Sequence, residues 1–172
     1  MIRDATPSDA QAICAIYNHY VENQEPGFEA EPLSVEAMAA RIASISALYP
    51  WLISVEGGKV LGYAFACAWQ GAPAYRYTVA CQVYLTPAAR GQNLGTVLYR
   101  ELLPRLREAG FHLAVATISL PNAASVRLHE KMGFRKVAHF LEVGCKGKEW
   151  VDVGCWQLAL ARFKPAVDER RD

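Results

Sequence analysis

The 172-residue sequence has no excess of charge of either sign, with 18 Lys and Arg against 17 Asp and Glu. A chain this balanced lacks the positive field that attracts nucleic-acid phosphates, so nucleic-acid binding is disfavoured. Its apolar runs, such as WLISV and GYAFACAW, fall far below the roughly 20 residues of a membrane span. Its first ten residues, MIRDATPSDA, lack the apolar core of a signal peptide. We therefore expect a cytoplasmic protein without a nucleic-acid or membrane partner.

The sequence also lacks the cysteine and histidine spacings of disulfide frameworks and metal sites. Its five cysteines are odd in number and form no C-x-x-C pair, and its four histidines are isolated. We expect reduced, mostly buried thiols and no bound metal. A nucleophilic role for Cys81 stays open, although no activating group stands near it in the sequence.

Hydrophobic residues make up 52% of the chain and charged residues 20%, which is the balance of a folded globular protein. The length fits one domain with a proper core and is short for two. We assign that domain to residues 1–162. Residues 163–172, within the charged segment RFKPAVDERRD, are expected to form a flexible tail.

Turn residues and hydrophobic spacing divide the first half of the chain into one strand, two helices and three strands. Residues 2–5 alternate as a strand, and TPSD is typical of a helix start. A second helix is expected from Ser34 to about Ala47. The β-rich runs WLISVE, KVLGYAFACAW and YRYTVACQVYL follow as an antiparallel meander, with Gly57-Gly58 in its first turn. The apolar face of the first helix comprises Ile13, Ile16, Tyr17 and Tyr20.

The second half alternates helices with strands. The segment GQNLGTVLYRELLPRLREAG predicts a helix that stops at Gly110, and Pro104 should kink it or face solvent. FHLAVATIS reads as a strand, NAASVRLHEKMGF as a short helix capped by Asn122, and KVAHFLEVG and WVDVGCWQLAL as closing strands. The order β-α-α-β-β-β-α-β-α-β-β predicts an α/β (α+β) fold, with a mixed sheet and helices on both faces.

The segment RGQNLGT lies where the strand CQVYLT leads into a helix. A helix N-terminus offers unpaired N–H groups and the positive end of the helix dipole, which together bind phosphate. Gly91 and Gly95 leave room for a close backbone approach, and Arg90 adds a cation. The same small residues are also compatible with a turn built only for packing.

Together with its neighbours, this segment resembles a known family. VYLTPAARGQNLGTVLY is similar to the acetyl-CoA loop of the GNAT N-acetyltransferases, R/Q-x-x-G-x-G/A, with Asn93 in place of the first glycine. FEAEP, AYRYT, LPNAASVRLHEKMGF and GCKGKEWVDVGCWQL are similar to the phosphinothricin acetyltransferase branch, from Ile2 to Leu160. Asparagine tolerates positive φ at a cost of about 1 kcal/mol, so the loop can keep its shape. On this basis, Asn93→Gly is expected to leave acetyl-CoA affinity equal or tighter.

The resemblance implies the GNAT fold, in which two neighbouring parallel strands, here ACQVYL and HLAVATI, splay apart. Acetyl-CoA would lie in this wedge, its pantetheine arm pairing with the open strand edge and its pyrophosphate meeting the loop. Asn122 also fits as an ordinary N-cap, which is compatible with this role. The implied cofactor-binding residues are Val83, Tyr84, Leu85, Arg90, Gly91, Gln92, Asn93, Leu94, Gly95, Thr96, Asn122 and Ser125.

The chemistry implied by the resemblance is acetyl transfer to an amine, which needs a neutral nucleophile and a proton for the departing thiolate. His129 stands where the wider family often has a proton-donating tyrosine, and the alternative is that it packs the helix beside Met132 and Phe134. Relatives carry a glutamate base where this sequence has Ala80. Glu31 of FEAEP is the remaining candidate base, with a bound water chain or a purely structural role for Glu31 as alternatives.

Segments that match the acceptor pocket of the branch supply the candidate substrate residues. An oxyanion on an amino acid analogue needs cationic or hydrogen-bonding partners. Arg76 could equally be a solvated charge at a strand end. The candidates are Phe28, Arg76, Tyr77, Thr78 and Lys146.

The resemblance thus predicts an enzyme that acetylates a small amino acid analogue such as phosphinothricin, methionine sulfoximine or an arsenic analogue, in antibiotic or herbicide detoxification. Acetyl-CoA is the expected co-substrate, and a homodimer formed through the closing strands is expected from the family. One alternative is a GNAT enzyme acting on another small amine or a protein N-terminus. The other is an acyl-CoA-binding sensor that lost catalysis with the carboxylate at position 80.

Overall fold

The computed structural model describes residues 1–23 and 31–161, which build one seven-stranded sheet with helices around it. The elements follow in the order that the sequence predicts. The sheet order is β1-β2-β3-β4-β5-β7-β6. The bounds are β1 Ile2–Asp4, α1 Ala10–Glu22, α2 Val35–Ser46, β2 Trp51–Glu56, β3 Lys59–Ala68, β4 Thr78–Leu85, α3 Leu94–Glu108, β5 Leu113–Leu120, α4 Ala123–Lys131, β6 Arg135–Lys146 and β7 Glu149–Ala159.

One strand pair gives the sheet its functional shape. β4 and β5 are parallel and are paired only from Thr78 to Ala80, against Leu113 to Val115. The other neighbouring strands are antiparallel. Both β4 and β5 continue beyond this short pairing, so they separate and leave a wedge with an open strand edge. The splay that the resemblance implies is therefore confirmed.

Helices cover both faces of the sheet, as predicted. Because neighbouring side chains on a strand point to opposite faces, Leu52 packs with α3 while Ile53 packs with α1 and α2. The α3 face is filled by residues such as Leu98 and Leu102, and the other face by residues such as Ile13. These two cores fix β4 between α3 and α1, next to the wedge.

Local sequence signals explain where most helices begin. Ser34 caps α2, since its Oγ accepts the N–H of Ala37 at 3.1 Å. Thr6 and Asp9 form a capping box around a short 3-10 turn, so α1 itself begins only at Ala10. Pro104 is exposed on α3, the second of the two arrangements expected for it.

Other element starts also differ from the sequence prediction. β4 begins at Thr78 because Pro73 to Tyr75 form a 3-10 turn. α3 begins at Leu94, after a loop that contains positive φ angles. β5 begins at Leu113 and not at Phe111. The predicted tail 163–172 and most of the FEAEP loop lie outside the described residues.

Candidate functional site

A cavity of about 880 Å³ occupies the wedge between β4 and β5. Its walls are β4 from Ala80 to Leu85, the loop that enters α3, β5 from Ala116 to Ser119, and α4. Tyr20 and Trp69 complete the lining. The structure thus gathers the predicted cofactor residues around one opening, except Gln92, which lies outside the lining and donates to the Ala88 carbonyl at 2.7 Å.

The open edge of β4 carries backbone groups that face the cavity. Thr86 donates its N–H to Leu61 of β3, whereas Leu85 directs its N–H and C=O to the other side. Because these directions alternate along a strand, Val83 faces the cavity with Leu85, and the backbone of Tyr84 faces β3. Of the three predicted edge residues, Tyr84 therefore contributes its side chain to the lining and not its backbone edge.

Tyr20 was missed by sequence reasoning, which placed it on the apolar face of α1. Its hydroxyl donates to Leu85 O at 3.0 Å and accepts from Leu85 N–H at 3.1 Å. The Arg90 guanidinium lies over its ring, 4.9 Å from the centroid. Tyr20 therefore closes the loop end of the open edge and joins it to Arg90.

The loop into α3 contains two residues in the left-handed region of backbone conformation. Gly91 has φ +76°, and Asn93 adopts the left-handed conformation with φ 64° and ψ 9°. A Cβ on Gly95 would lie 2.8 Å from Leu128 Cδ2, so this glycine also lets α3 approach α4 closely. The first N–H groups of α3 have no partner within the helix and are available to an anion at the cavity.

The charges around the cavity are all positive among the described lining residues. Arg90, Arg127 and Lys131 line it, and none of the described lining residues is Asp or Glu. Lys131 Nζ donates to Asn93 Oδ1 at 2.8 Å. Arg127 and Lys131 are four residues apart on α4, a spacing that puts them on one helix face and could have revealed them in the sequence. The donor set fits an anionic ligand with phosphate groups.

His129 lies at the junction of α3 and α4, with 3% of its surface exposed. Its Nε2 is 2.9 Å from the Tyr99 hydroxyl, and its Nδ1 is 2.8 Å from Ser125 O. The carbonyl requires a proton on Nδ1, so Nε2 accepts from Tyr99, a tautomer assigned from this network. Burial lowers the pKa of His129, which keeps the ring neutral at neutral pH.

The start of α4 matches its sequence prediction. Asn122 is the N-cap, and its Oδ1 accepts the N–H of Ser125 at 3.1 Å. Ser125 Oγ lies 3.3 Å from His129 Nδ1, and both Asn122 and Ser125 line the cavity. The capping role of Asn122 and its place at the cavity are therefore compatible.

The remaining candidate residues that the structure describes are not brought to the cavity. Glu31 is exposed and lies outside the lining, whereas Ala80 is part of it. Arg76 donates to Pro73 O at 3.2 Å and lies over the Tyr77 ring, also outside the lining. Thr78 and Lys146 are likewise not lining residues, and Phe28 lies outside the described residues.

Among the described residues, neither Cys81 nor a cluster of metal-binding side chains offers a further catalytic group. Burial raises the pKa of Cys81 to about 12, so it is a thiol at neutral pH and not an activated nucleophile. Cys14 and Cys81 are buried, Cys67 and Cys155 are partly buried, and Cys145 is exposed. Within residues 1–23 and 31–161, no group of three His, Cys, Asp or Glu side chains could hold a metal ion. In the same ranges, no helix is long and apolar enough to span a membrane.

Comparison with known proteins gives this geometry a family. The sequence profile of the Acetyltransferase (GNAT) family matches residues 13–134. A phosphinothricin N-acetyltransferase of Streptomyces viridochromogenes is 38% identical over 156 residues, which cover 91% of this chain and 85% of the relative. An L-methionine sulfoximine/L-methionine sulfone acetyltransferase of Salmonella typhimurium is 38% identical over 160 residues, which cover 92% and 94%.

A solved structure shows the same fold with its cofactor. A protein of Salmonella typhimurium, determined with its cofactor acetyl-CoA, superposes with a TM-score of 0.92 at 37% identity, and the match covers 96% of each chain. The wedge between β4 and β5, the positive-φ loop before α3 and the family match therefore all point to the same family. The chain therefore belongs to the acetyltransferase (GNAT) family and is an acetyl-CoA-dependent N-acetyltransferase.

Proposed function

We propose that the protein acetylates the α-amine of a small amino acid analogue such as phosphinothricin, methionine sulfoximine or an arsenic analogue. The observation that carries the proposal is the wedge-shaped cavity, which has the loop that enters α3 at one end and Ala80, Gln82 and Trp69 at the other. The relatives named for phosphinothricin and for methionine sulfoximine support this class of acceptor. Residues 1–162 would act as one cytoplasmic domain, and the physiological role would be detoxification of such antibiotics or herbicides.

The cavity wall divides into parts that hold the donor and parts that face the acceptor. When bound, acetyl-CoA supplies the acetyl group as a thioester that a neutral amine can attack. The N–H groups at the start of α3, with Arg90 and Lys131, would hold the phosphates. The backbone of Val83 would pair with the pantetheine arm and offer an N–H that polarises the thioester carbonyl.

The acceptor amine must lose a proton, and the described lining offers no carboxylate to take it. Gln82 lines the cavity, but an amide is not a base, and its Oε1 accepts the Tyr84 hydroxyl at 3.1 Å. The exposed position of Glu31 does not support it as the base. We therefore favour the bound water chain, which delivers the proton to solvent.

The contacts of His129 favour the packing alternative over a role as the acid. A neutral ring can release only its Nδ1 proton, which is already donated to Ser125 O. Giving it up would leave an anion in a buried site, where a charge is costly. His129 would instead tie α4 to Tyr99 of α3 and so hold the cavity wall in place.

The family assignment does not favour the alternative of an acyl-CoA-binding sensor, although Ala80 and a lining without a described carboxylate are also compatible with a binding protein. Mass analysis of incubations with acetyl-CoA and L-phosphinothricin or L-methionine sulfoximine separates the two. An N-acetyl product at enzyme-dependent rates supports the proposed function. Unchanged amines with every acceptor, together with measurable acetyl-CoA binding, would favour the sensor.

We also propose a homodimer formed through the closing strands. β6 lies at the sheet edge, and its hairpin with β7 exposes large apolar side chains: Val137, Phe140, Leu141, Val143 and Trp150. A cluster of this kind typically marks a protein interface. Light scattering should give a dimer mass that Leu141→Glu lowers and that the matched exposed change Leu48→Glu leaves alone. A monomer at all concentrations would contradict the dimer.

A further inference from the structure

Asn93 and Lys131 connect the loop that enters α3 with α4, at the end of the cavity where the phosphates are proposed to bind. Asn93 precedes α3, and Lys131 is the last residue of α4. Lys131 Nζ donates to Asn93 Oδ1 at 2.8 Å, and both residues line the cavity. The contact therefore connects the loop to the helix on the opposite wall.

The conformation of Asn93 leaves its side chain available for this contact. It stands at the N-cap position of α3 with left-handed φ and ψ, and its side chain makes no capping hydrogen bond to the helix. A glycine at this position would keep the turn, since glycine adopts the same φ without strain. It would have no oxygen to offer Lys131, so the asparagine adds a contact that the glycine pattern lacks.

The group that accepts the hydrogen bond from Lys131 is the neutral side-chain amide of Asn93, so Lys131 keeps its full charge. An amide oxygen can orient an ammonium group without neutralising it, whereas a carboxylate would cancel its charge. Arg127 lies one turn earlier on α4, and Arg90 lies on the loop, so Lys131 adds to a positive cluster. The described lining contains no Asp or Glu to compete with a phosphate for these cations.

We propose that Asn93 is a positioning residue that holds Lys131 against the cavity so that Lys131 binds the diphosphate of acetyl-CoA. The diphosphate is the group expected at the N–H groups that follow Asn93. This inference is independent of the acceptor amine, because it concerns the donor alone. It reverses the expectation from sequence, since Asn93→Gly now removes a contact that the loop pattern does not show.

Two phosphate sources on the ligand must be separated, because acetyl-CoA carries a 3′-phosphate as well as the diphosphate. Acetyl-dephospho-CoA lacks the 3′-phosphate and keeps the diphosphate. A Lys131 that binds the diphosphate contributes equally to both ligands. A Lys131 that binds the 3′-phosphate contributes only to acetyl-CoA.

Isothermal titration calorimetry of the full chain with acetyl-CoA and with acetyl-dephospho-CoA, in the absence of any amine, tests the proposal. The variants are Asn93→Gly, Lys131→Met and the double variant, with exposed Lys59→Met, outside the cavity lining, as the matched control. We expect Asn93→Gly and Lys131→Met each to weaken both ligands about three- to tenfold, an effect that shrinks at high salt. The double variant should be no weaker than Lys131→Met alone, because the two residues act as one unit.

Three results would overturn the proposal: equal or tighter binding by Asn93→Gly, fully additive losses in the double variant, or a loss confined to acetyl-CoA. Melting curves without ligand check that each variant is folded. If Asn93→Gly is unstable, Lys131→Met still tests the proposal, because Lys131 is exposed and its substitution should not affect folding. Since no acceptor is present, the titration remains valid even if no amine is ever acetylated. Failure here and failure of the proposed function are therefore distinguishable.

Discussion

The hydroxyl of Tyr20 bonds to both the N–H and the C=O of Leu85, at 3.1 and 3.0 Å. These two backbone groups lie on the open edge of β4, where the pantetheine arm is proposed to pair. One side chain from α1 thus occupies hydrogen-bonding capacity that a bound cofactor would otherwise use. We therefore expect this contact to couple the stability of the ligand-free protein to cofactor affinity.

Tyr20→Phe should destabilise the ligand-free protein and tighten acetyl-CoA binding. The variant leaves both Leu85 groups without their hydroxyl partner until the cofactor supplies one, so the gain in affinity should be about two- to tenfold. Thermal melting with and without acetyl-CoA measures both effects, as a lower melting temperature and a larger ligand-induced shift. Tyr75→Phe, at an exposed ring, is the control. Weaker binding by Tyr20→Phe would show that the hydroxyl itself helps to hold the cofactor.

Ala80→Glu should install the base that the described cavity lacks. A carboxylate at this lining position would be ionised at neutral pH, with an ordinary pKa of about 4.3. We expect kcat/KM near pH 7 to rise about tenfold or more and the rise of rate with pH to begin at lower pH. Ala80→Gln has nearly the same size without the charge and serves as the control. Matching pH profiles for the two variants would mean that no base is missing.

His129 should make the protein less stable as the pH falls. Burial lowers the pKa of its folded form below the unfolded value of about 6.5, so the unfolded chain binds the proton more readily. Its contribution to the free energy of unfolding is therefore complete above about pH 6.5 and is lost as the pH falls towards the folded pKa. Denaturant titrations of the wild type and His129→Gln measure this slope, which should be shallower in the variant.

The same His129→Gln variant tests the packing role. We expect a lower melting temperature, because the ring bonds to Tyr99 and Ser125 in a buried site. The pH at which kcat changes should stay where it is in the wild type. A shift of the kcat profile in a fully folded variant would instead restore His129 as the acid.

The order of elements could be predicted because it depends on local signals. The spacing of Ile13, Ile16 and Tyr17 and the cap at Ser34 are properties of short stretches, and the structure confirms both. The sequence predicts too early a start for α3. Gly91 and Asn93 have positive φ, so the helix begins only after them, at Leu94. Residues 75–77 are predicted as the start of a strand, but Tyr75 ends the 3-10 helix Pro73–Tyr75 and Arg76 and Tyr77 form the turn after it.

The missed parts of the site are contacts between distant segments. Tyr20 and Leu85 are 65 residues apart, Lys131 and Asn93 are 38 apart, and no periodicity within a window of the sequence connects them. Periodicity placed Tyr20 on the apolar face of α1, and its hydroxyl uses that same position to reach β4. The sequence could place the loop at the start of α3, whereas the part of the cavity around Ala80 depends on how separate segments meet.

Acetylation of a small amino acid analogue is tested most directly by the rate of thiol release from acetyl-CoA across a panel of amines. The panel contains phosphinothricin, methionine sulfoximine, an arsenic-containing amino acid analogue and the common amino acids. We expect saturable turnover with at least one analogue, at a kcat/KM above those of the common amino acids. No thiol release with any amine, from protein that binds acetyl-CoA, would contradict it.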